Sequence, residues 1–206
     1  MCIRDSCLLL LAFALLGCGG EEPSKSVETY VGEGQAAFAR GDELVMQART
    51  EAAFDAALDV YSKAVSEWMV AAAAWRKAFR LMDPTDENRA PRAMLAFRIG
   101  RAFAKAARHG SEPDWAGFRA DHAFTWFDQA GRLAPELRQV HYERARLFDS
   151  DVEKARDLVA AHGAYLRYLA AIDFSADSSD KLPESERDRV KHARARAAEL
   201  APPKGD

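Results

Sequence analysis

Histidine is the side chain best suited to proton transfer or metal binding near neutral pH, and this chain has five: His109, His122, His141, His162 and His192. None forms a pair with a carboxylate at metal-ligand spacing in a known arrangement, and there is no His-Glu-x-x-His run. The nearest pairing, Asp121 with His122, is adjacent in sequence, so a helix would aim the two at different sides. Each histidine therefore reads as a surface or groove residue. Carboxylates cluster at Asp83/Asp86/Glu87 and Asp149/Asp151/Glu153, but these are expected helix starts, where acids complement the macrodipole. A cell-wall glycosidase would need two carboxylates set apart as a pair, and nothing sets one apart. Gly-x-Ser-x-Gly, a phosphate-cradling loop and a dinucleotide fingerprint do not occur. The expectation is a protein that is not an enzyme, with no catalytic residue, no metal and no cofactor.

The three cysteines point elsewhere. Leu8 to Leu16 is continuously apolar, too short to cross a hydrocarbon layer of about 30 Å but suited to the apolar core of a secretory signal. It ends in Leu15-Leu16-Gly17-Cys18, which resembles the bacterial lipobox. That resemblance implies diacylglycerol on the Cys18 thiol, cleavage after residue 17 and acylation of the new amino terminus. Three acyl chains hold a protein on a membrane where one is marginal. Residues 1–17 are then a lipoprotein signal, 18–26 the lipidated Cys and its tether, and 27–206 the folded domain. Gly19 stands where, by the same resemblance, an Asp retains lipoproteins in the inner membrane, so the outer membrane is favoured. The opening MCIRDS resembles a translated transposon end of the kind used in sequencing libraries, so Cys2 and Arg4 carry no functional weight. An ordinary signal peptide with an incidental Cys is the alternative.

Of the chain's 206 residues, 29 are basic and 32 acidic, for a net charge of −3. Residues 1–17 hold one of each, so cleavage leaves the balance unchanged. A nucleic-acid binder normally carries a strong positive excess, and no nucleic acid is expected as partner. Beyond Cys18 there is no thiol, hence no disulfide, Cys metal site or Cys nucleophile. No second apolar run of about 20 residues follows.

The elements behind the tether read as helices throughout. Val and Ile are sparse, Ala, Leu, Arg and Glu abound, and apolar residues recur every three or four positions. Prolines fall between such segments or in their first turns. The pattern predicts helices at 25–40, 42–82, 89–109, 113–134, 136–149, 151–173 and 184–200, with a polar loop at 174–183. The stretch 42–82 is either one long helix or broken by a turn without Gly or Pro. Cap chemistry is expected at Pro84-Thr85-Asp86, Ser111-Glu112-Pro113 and Ser150-Asp151.

One spacing repeats: Ala, an aromatic four residues on, Ala three later. It occurs at Ala57-Tyr61-Ala64, Ala71-Trp75-Ala78, Ala123-Phe127-Ala130 and Ala164-Tyr168-Ala171, positions that share a helix face. Pro135 follows the third copy, and Ile99-Gly100 with Phe103 precede it. These features resemble the tetratricopeptide repeat, whose second helix carries such an Ala–aromatic–Ala face. The resemblance implies an all-α solenoid of antiparallel helix pairs, with 92–135 as one pair and 136–173 as the next. The family period is about 34 residues, and the copies here are irregularly spaced. Ala57 and Ala71 stand too close for two repeats, and Arg144-Ala145 replaces the aliphatic-Gly pair. An irregular helical bundle with Ala-rich seams is the alternative.

In that family ligands lie in a groove lined by the first helices. Carried over, the resemblance nominates Phe97, Arg101, Gln139, Tyr142 and Arg146 for gripping an extended peptide by stacking and charge pairing. The implied function is an outer-membrane-anchored periplasmic lipoprotein, a scaffold or interaction module in envelope assembly, with an envelope protein as partner. A cell-wall enzyme is one alternative. A purely structural bundle, with Phe97 and Tyr142 buried, is another. In the last helix Val190, Ala193, Ala197 and Leu200 form an apolar stripe that would close the array. Its basic stripe, Arg187, Lys191 and Arg194, is expected to be a solvated face.

Overall fold

The computed structural model describes residues 25–172 and 182–202. The signal segment, Cys18, most of the tether and most of the 174–183 loop lie outside the described residues. Among the described residues the chain is all helix. The elements are α1 (Val27–Ala48), α2 (Phe54–Leu81), α3 (Arg89–His109), α4 (Pro113–Leu133), α5 (Gln139–Phe148), α6 (Leu158–Ala170) and α7 (Glu184–Glu199).

The expected boundary at Gly41 is wrong, and the reason is packing. Gly41 is buried inside α1, and a Cβ there would lie 2.5 Å from Trp68 Nε1. The same relation recurs two turns away, where a Cβ on Gly34 would meet Trp75 Nε1 at 2.4 Å. Glycine is present because indole rings of α2 lie directly on the α1 backbone. The long stretch breaks instead at residues 49–53, between the Arg49 C-cap and the Ala53 N-cap, with neither Gly nor Pro. Asp42, placed by that expectation at a helix start, accepts from Trp68 Nε1 at 3.0 Å in mid-helix.

The sixth helix also starts later than expected, at Leu158, where Asp157 Oδ1 accepts from the Ala160 amide at 2.9 Å. Ser150-Asp151 does not cap it. Val152 and Ala155 drop into the main core, which holds 151–157 as a turn-rich connection. The expected caps before α3 and α4 make no side-chain cap bond, although Pro113 does occupy the first turn of α4.

Consecutive helices run antiparallel. Gly34 meets Trp75 and Gly41 meets Trp68, so a step up α1 is a step down α2. Phe97 faces Phe127 and Phe103 faces His122 across α3 and α4. Phe124 stacks on Phe148 and Asp128 pairs with Arg144 across α4 and α5. Alternate helices run parallel. Phe38 and Asp42 of α1 meet Arg101 and Lys105 of α3, while Arg138 and Asp149, the caps of α5, meet Glu186 and Arg196 of α7. The odd-numbered helices therefore lie side by side, an arrangement consistent with a helical bundle or a solenoid. First helices of successive pairs begin at residues 27, 89 and 139, steps well beyond the 34 residues of a regular tetratricopeptide array.

Two of the four Ala–aromatic–Ala copies form buried seams, while Ala57 and Tyr61 of the first copy are half-buried and Ala171 of the fourth is exposed. Ala71, Trp75 and Ala78 are at most 1% exposed, and Ala123, Phe127 and Ala130 are fully buried. The first two copies share the single helix α2, which explains their short separation. Gly100 receives Phe127, whose Cδ1 would be 2.6 Å from a Cβ there. Burying an indole removes about 150–250 Å² from water, worth about 4–6 kcal/mol at 25 cal/mol per Å², so Trp68 and Trp75 dominate the first seam. A large apolar cluster runs from α1 to α4 and takes in Val140 and Leu147 of α5. A smaller one joins Tyr142 and Ala145 of α5 to α6 and to the Val190, Ala193, Ala197 stripe of α7.

Gly41→Ala sets a helix-propensity gain of about 1 kcal/mol against overpacking worth about 1–3 kcal/mol. Net destabilisation is expected, whereas Gly32→Ala, whose Cβ meets nothing within 4 Å, should stabilise by about 0.5–1 kcal/mol. Thermal melts followed by circular dichroism compare the two, and a stabilised Gly41→Ala would show that the indole seat has slack.

Candidate functional site

Helix α3 carries Arg89, Arg92, Arg98, Arg101, Lys105 and Arg108 and no carboxylate, so its neighbours must balance its charge. Two of these cations cap other helices. Arg89 Nε donates to Leu133 O at 2.8 Å, at the end of α4. Arg92 Nη1 donates to Phe79 O at 3.4 Å and also to Met82 O, at the end of α2. Last-turn carbonyls lack helical partners and carry the negative end of the macrodipole, so guanidinium suits them. Arg98 stands 6.0 Å from the Trp75 ring centroid. Arg101, Lys105 and Arg108 face α1 and α5.

Asp42 ties three helices together, accepting from Trp68 Nε1 of α2 and, at 2.5 Å, from Lys105 Nζ of α3. Burial pulls the Lys105 pKa below its usual value, with Asp42 opposing that pull.

Glu143 of α5 is 5% exposed and lies among three guanidiniums. Arg101 Nε is 3.3 Å from Oε1, while Arg146 Nη1 and Arg108 Nη2 are 3.8 and 3.9 Å from Oε2. Burial pushes the Glu143 carboxyl up, but the field of Arg101, Arg108, Arg146 and Arg189 outweighs it and leaves the pKa below the usual value. Burial, then Arg146, pushes Arg108 down to about 10 against the pull of Glu143, so it stays a cation at neutral pH. Arg101 Nε and Arg108 Nη1 are buried without a hydrogen-bond partner among the described residues.

Two other carboxylates on this face are saturated. Glu186 accepts from Arg138 at 3.2 Å, Arg189 at 3.0 Å and the Tyr168 hydroxyl at 2.9 Å. Asp149 takes Arg196 through both oxygens, at 2.7 and 2.5 Å, and the Tyr165 hydroxyl at 3.2 Å. Of these three carboxylates, only Glu143 is held by charge alone among the described residues.

The nominated residues fall into two kinds. Arg101 and Arg146 converge on Glu143, a residue the sequence analysis did not single out. Each also stands over a nominated ring, Arg101 at 5.7 Å from Phe97 and Arg146 at 5.8 Å from Tyr142. Phe97 and Tyr142 are both 7% exposed, placed in the two apolar clusters as a purely structural bundle would have them. Their rings stack on this chain's own arginines. Tyr142 also lies 3.4 Å from His192 Nδ1 through its hydroxyl. Gln139 opens α5, half-buried. The sequence held only an indirect signal for Arg108 and Glu143: a helix with six cations and no acid is suited to acids from its neighbours, without saying which.

Two depressions open among the odd-numbered helices. One of about 230 Å³ lies between α1 and α3, walled by Phe38, Trp75, Arg98 and Arg101. The larger, about 600 Å³, lies where the ends of α3 and α5 meet the start of α4 and the 149–154 connection, with Arg108, Arg146, Tyr165 and His192 on its walls. Among the described residues no group of three His, Cys, Asp or Glu is placed to hold a metal ion, and no helix is long and apolar enough to cross a membrane. The chain matches no protein-family model and no curated protein.

Glu143→Gln leaves three guanidiniums without their shared counter-charge. Removing one partner of a buried ion pair costs about 3–5 kcal/mol, and urea denaturation should show a loss of that size. An unchanged midpoint would mean that solvent screens the cluster.

His109, stacked on Tyr61 and against Trp68, has its pKa lowered from 6.5 to about 4 by burial, then by Arg108, Lys105, Arg49 and Arg146. The unfolded chain thus takes up a proton that the folded state refuses. The contribution is full above about pH 6.5 and is lost as pH falls towards 4. Melting temperature should fall between pH 7 and 5, and His109→Gln should flatten that slope; parallel slopes would exclude His109 as the cause.

Proposed function

We propose that this chain is a lipid-anchored interaction module, tethered through Cys18 to the periplasmic face of the outer membrane, whose odd-numbered helices present the binding face. The observation that carries the reading is the convergence of Arg101 and Arg146 from two helices onto one polar layer, with Arg101 on the wall of the smaller depression and Arg146 on the wall of the larger. The tetratricopeptide-like Ala–aromatic–Ala seams support it, since in that family first helices line the groove. The mechanism is passive. Acylation at Cys18 confines the domain to one surface and raises the effective concentration of a partner there, and an envelope protein or extended peptide is the partner class.

Burial of Phe97 and Tyr142 favours a second reading, a structural bundle that uses these groups only to hold itself together. A photocrosslinking amino acid at Arg98 or Gln139, on odd-numbered helices, is compared with one at Val70 or Val159, on even-numbered ones. A discrete adduct from the odd positions alone is expected in native membranes. Equal labelling from both sets, or none from either, would favour the structural bundle. Separately, Cys18→Ser should release the protein into the soluble periplasmic fraction, and continued membrane attachment would refute the lipid anchor.

A further inference from the structure

The cavity of about 600 Å³ is within the range of pockets that enclose small molecules, and its charges are ordered by depth. Arg108 lies deepest, its side chain 12% exposed, and Arg146 stands beside it at 40%. With Arg101 these two share the single carboxylate of Glu143, so the inner wall carries more positive than negative charge. Neither arginine's contact with Glu143 is closer than 3.8 Å, and Arg108 Nη1, buried, has no hydrogen-bond partner among the described residues. Arg146, the more exposed of the two, keeps donors of its planar fork open to a second acceptor, while Arg108, whose Nη1 is closed off from solvent, adds its charge from beneath.

The mouth has the opposite sign. Asp114, Asp151 and Glu153 line it and are exposed. Asp149, also on the lining, is neutralised by Arg196 and does not add to this charge. The one cation at the mouth, Lys154, lays its stem across Gly117, where a Cβ would come within 2.4 Å of Lys154 Cδ. Three carboxylates therefore face one ammonium outside, while guanidiniums are in excess within. Low-dielectric walls strengthen both fields. A simple anion is drawn to the floor but repelled by the mouth, and a simple cation meets the reverse.

We propose that this cavity binds a small zwitterion, an amino acid or short peptide, with its carboxylate on Arg108 and Arg146 and its ammonium at Asp151 and Glu153. The proposal shares this cavity and Arg146 with the interaction-module reading, which photocrosslinking at Arg98 and Gln139 tests separately.

Isothermal titration calorimetry on the full chain tests it, with trialanine, trialanine amide, N-acetyl-trialanine and inorganic phosphate as probes. Trialanine should bind one to one, and the amide on the order of tenfold to a hundredfold more weakly, as expected for loss of a charge-assisted bond. N-acetylation should weaken binding too, and Asp151→Asn with Glu153→Gln should remove the difference between trialanine and its acetylated form. Arg108→Gln should lower affinity by a similar factor to the amide. Arg146→Gln, at a less buried position, should do the same and decides the matter if Arg108→Gln does not fold. Equal binding of acid and amide, phosphate binding in place of trialanine, or no binding by any probe would overturn the proposal.

Discussion

The seating of two tryptophans on two glycines is the constraint from which the rest of the molecule follows. Trp68 and Trp75 lie one heptad apart on α2 and rest on Gly41 and Gly34, one heptad apart on α1. No other residue lets a helix backbone come that close to an indole, so α1 and α2 are locked in both distance and register. The indole nitrogens add direction, Trp68 donating to Asp42 and Trp75 to Val31 O. Since Asp42 also takes Lys105 of α3, the apolar seat of the first pair positions the first polar link to the second.

That link begins a layer of charge along the odd-numbered helices. Its members differ in how completely they are satisfied. Glu186 and Asp149 are closed by several hydrogen bonds each, whereas Glu143 is surrounded by guanidiniums without such bonds. Buried ion pairs are weak sources of stability, because desolvation consumes most of the Coulomb attraction. The apolar clusters supply the stability, and the polar layer fixes which helix ends meet and what charge the larger cavity presents.

The helical class was legible because it depends on local periodicity and composition, and five of the seven described helices begin within three residues of where the pattern places them. The two misplaced starts, of α2 and α6, show what periodicity omits. Asp157 begins α6 because Val152 and Ala155 are taken by the core, a tertiary demand that outranks the cap chemistry of Ser150-Asp151. Gly41 belongs to the same lesson at the other end of the chain, for a glycine that ends a helix and one that admits a neighbour look alike in one dimension. Within the candidate groove, Arg101 and Arg146 were found by their register on first helices. Glu143 went unnoticed because its significance lies in three arginines drawn from two helices, and that convergence exists only after folding.

Helix α5 has ten residues, and five of them are buried. Val140 and Leu147 belong to the larger apolar cluster, Tyr142 and Ala145 to the smaller, and Glu143 to the charged layer between them. A segment this short is marginal as a helix in isolation, so it takes its form from both sides at once. It therefore acts as a keystone: loss of either cluster withdraws half of what keeps α5 folded, and the two ends of the molecule are bound into one cooperative unit.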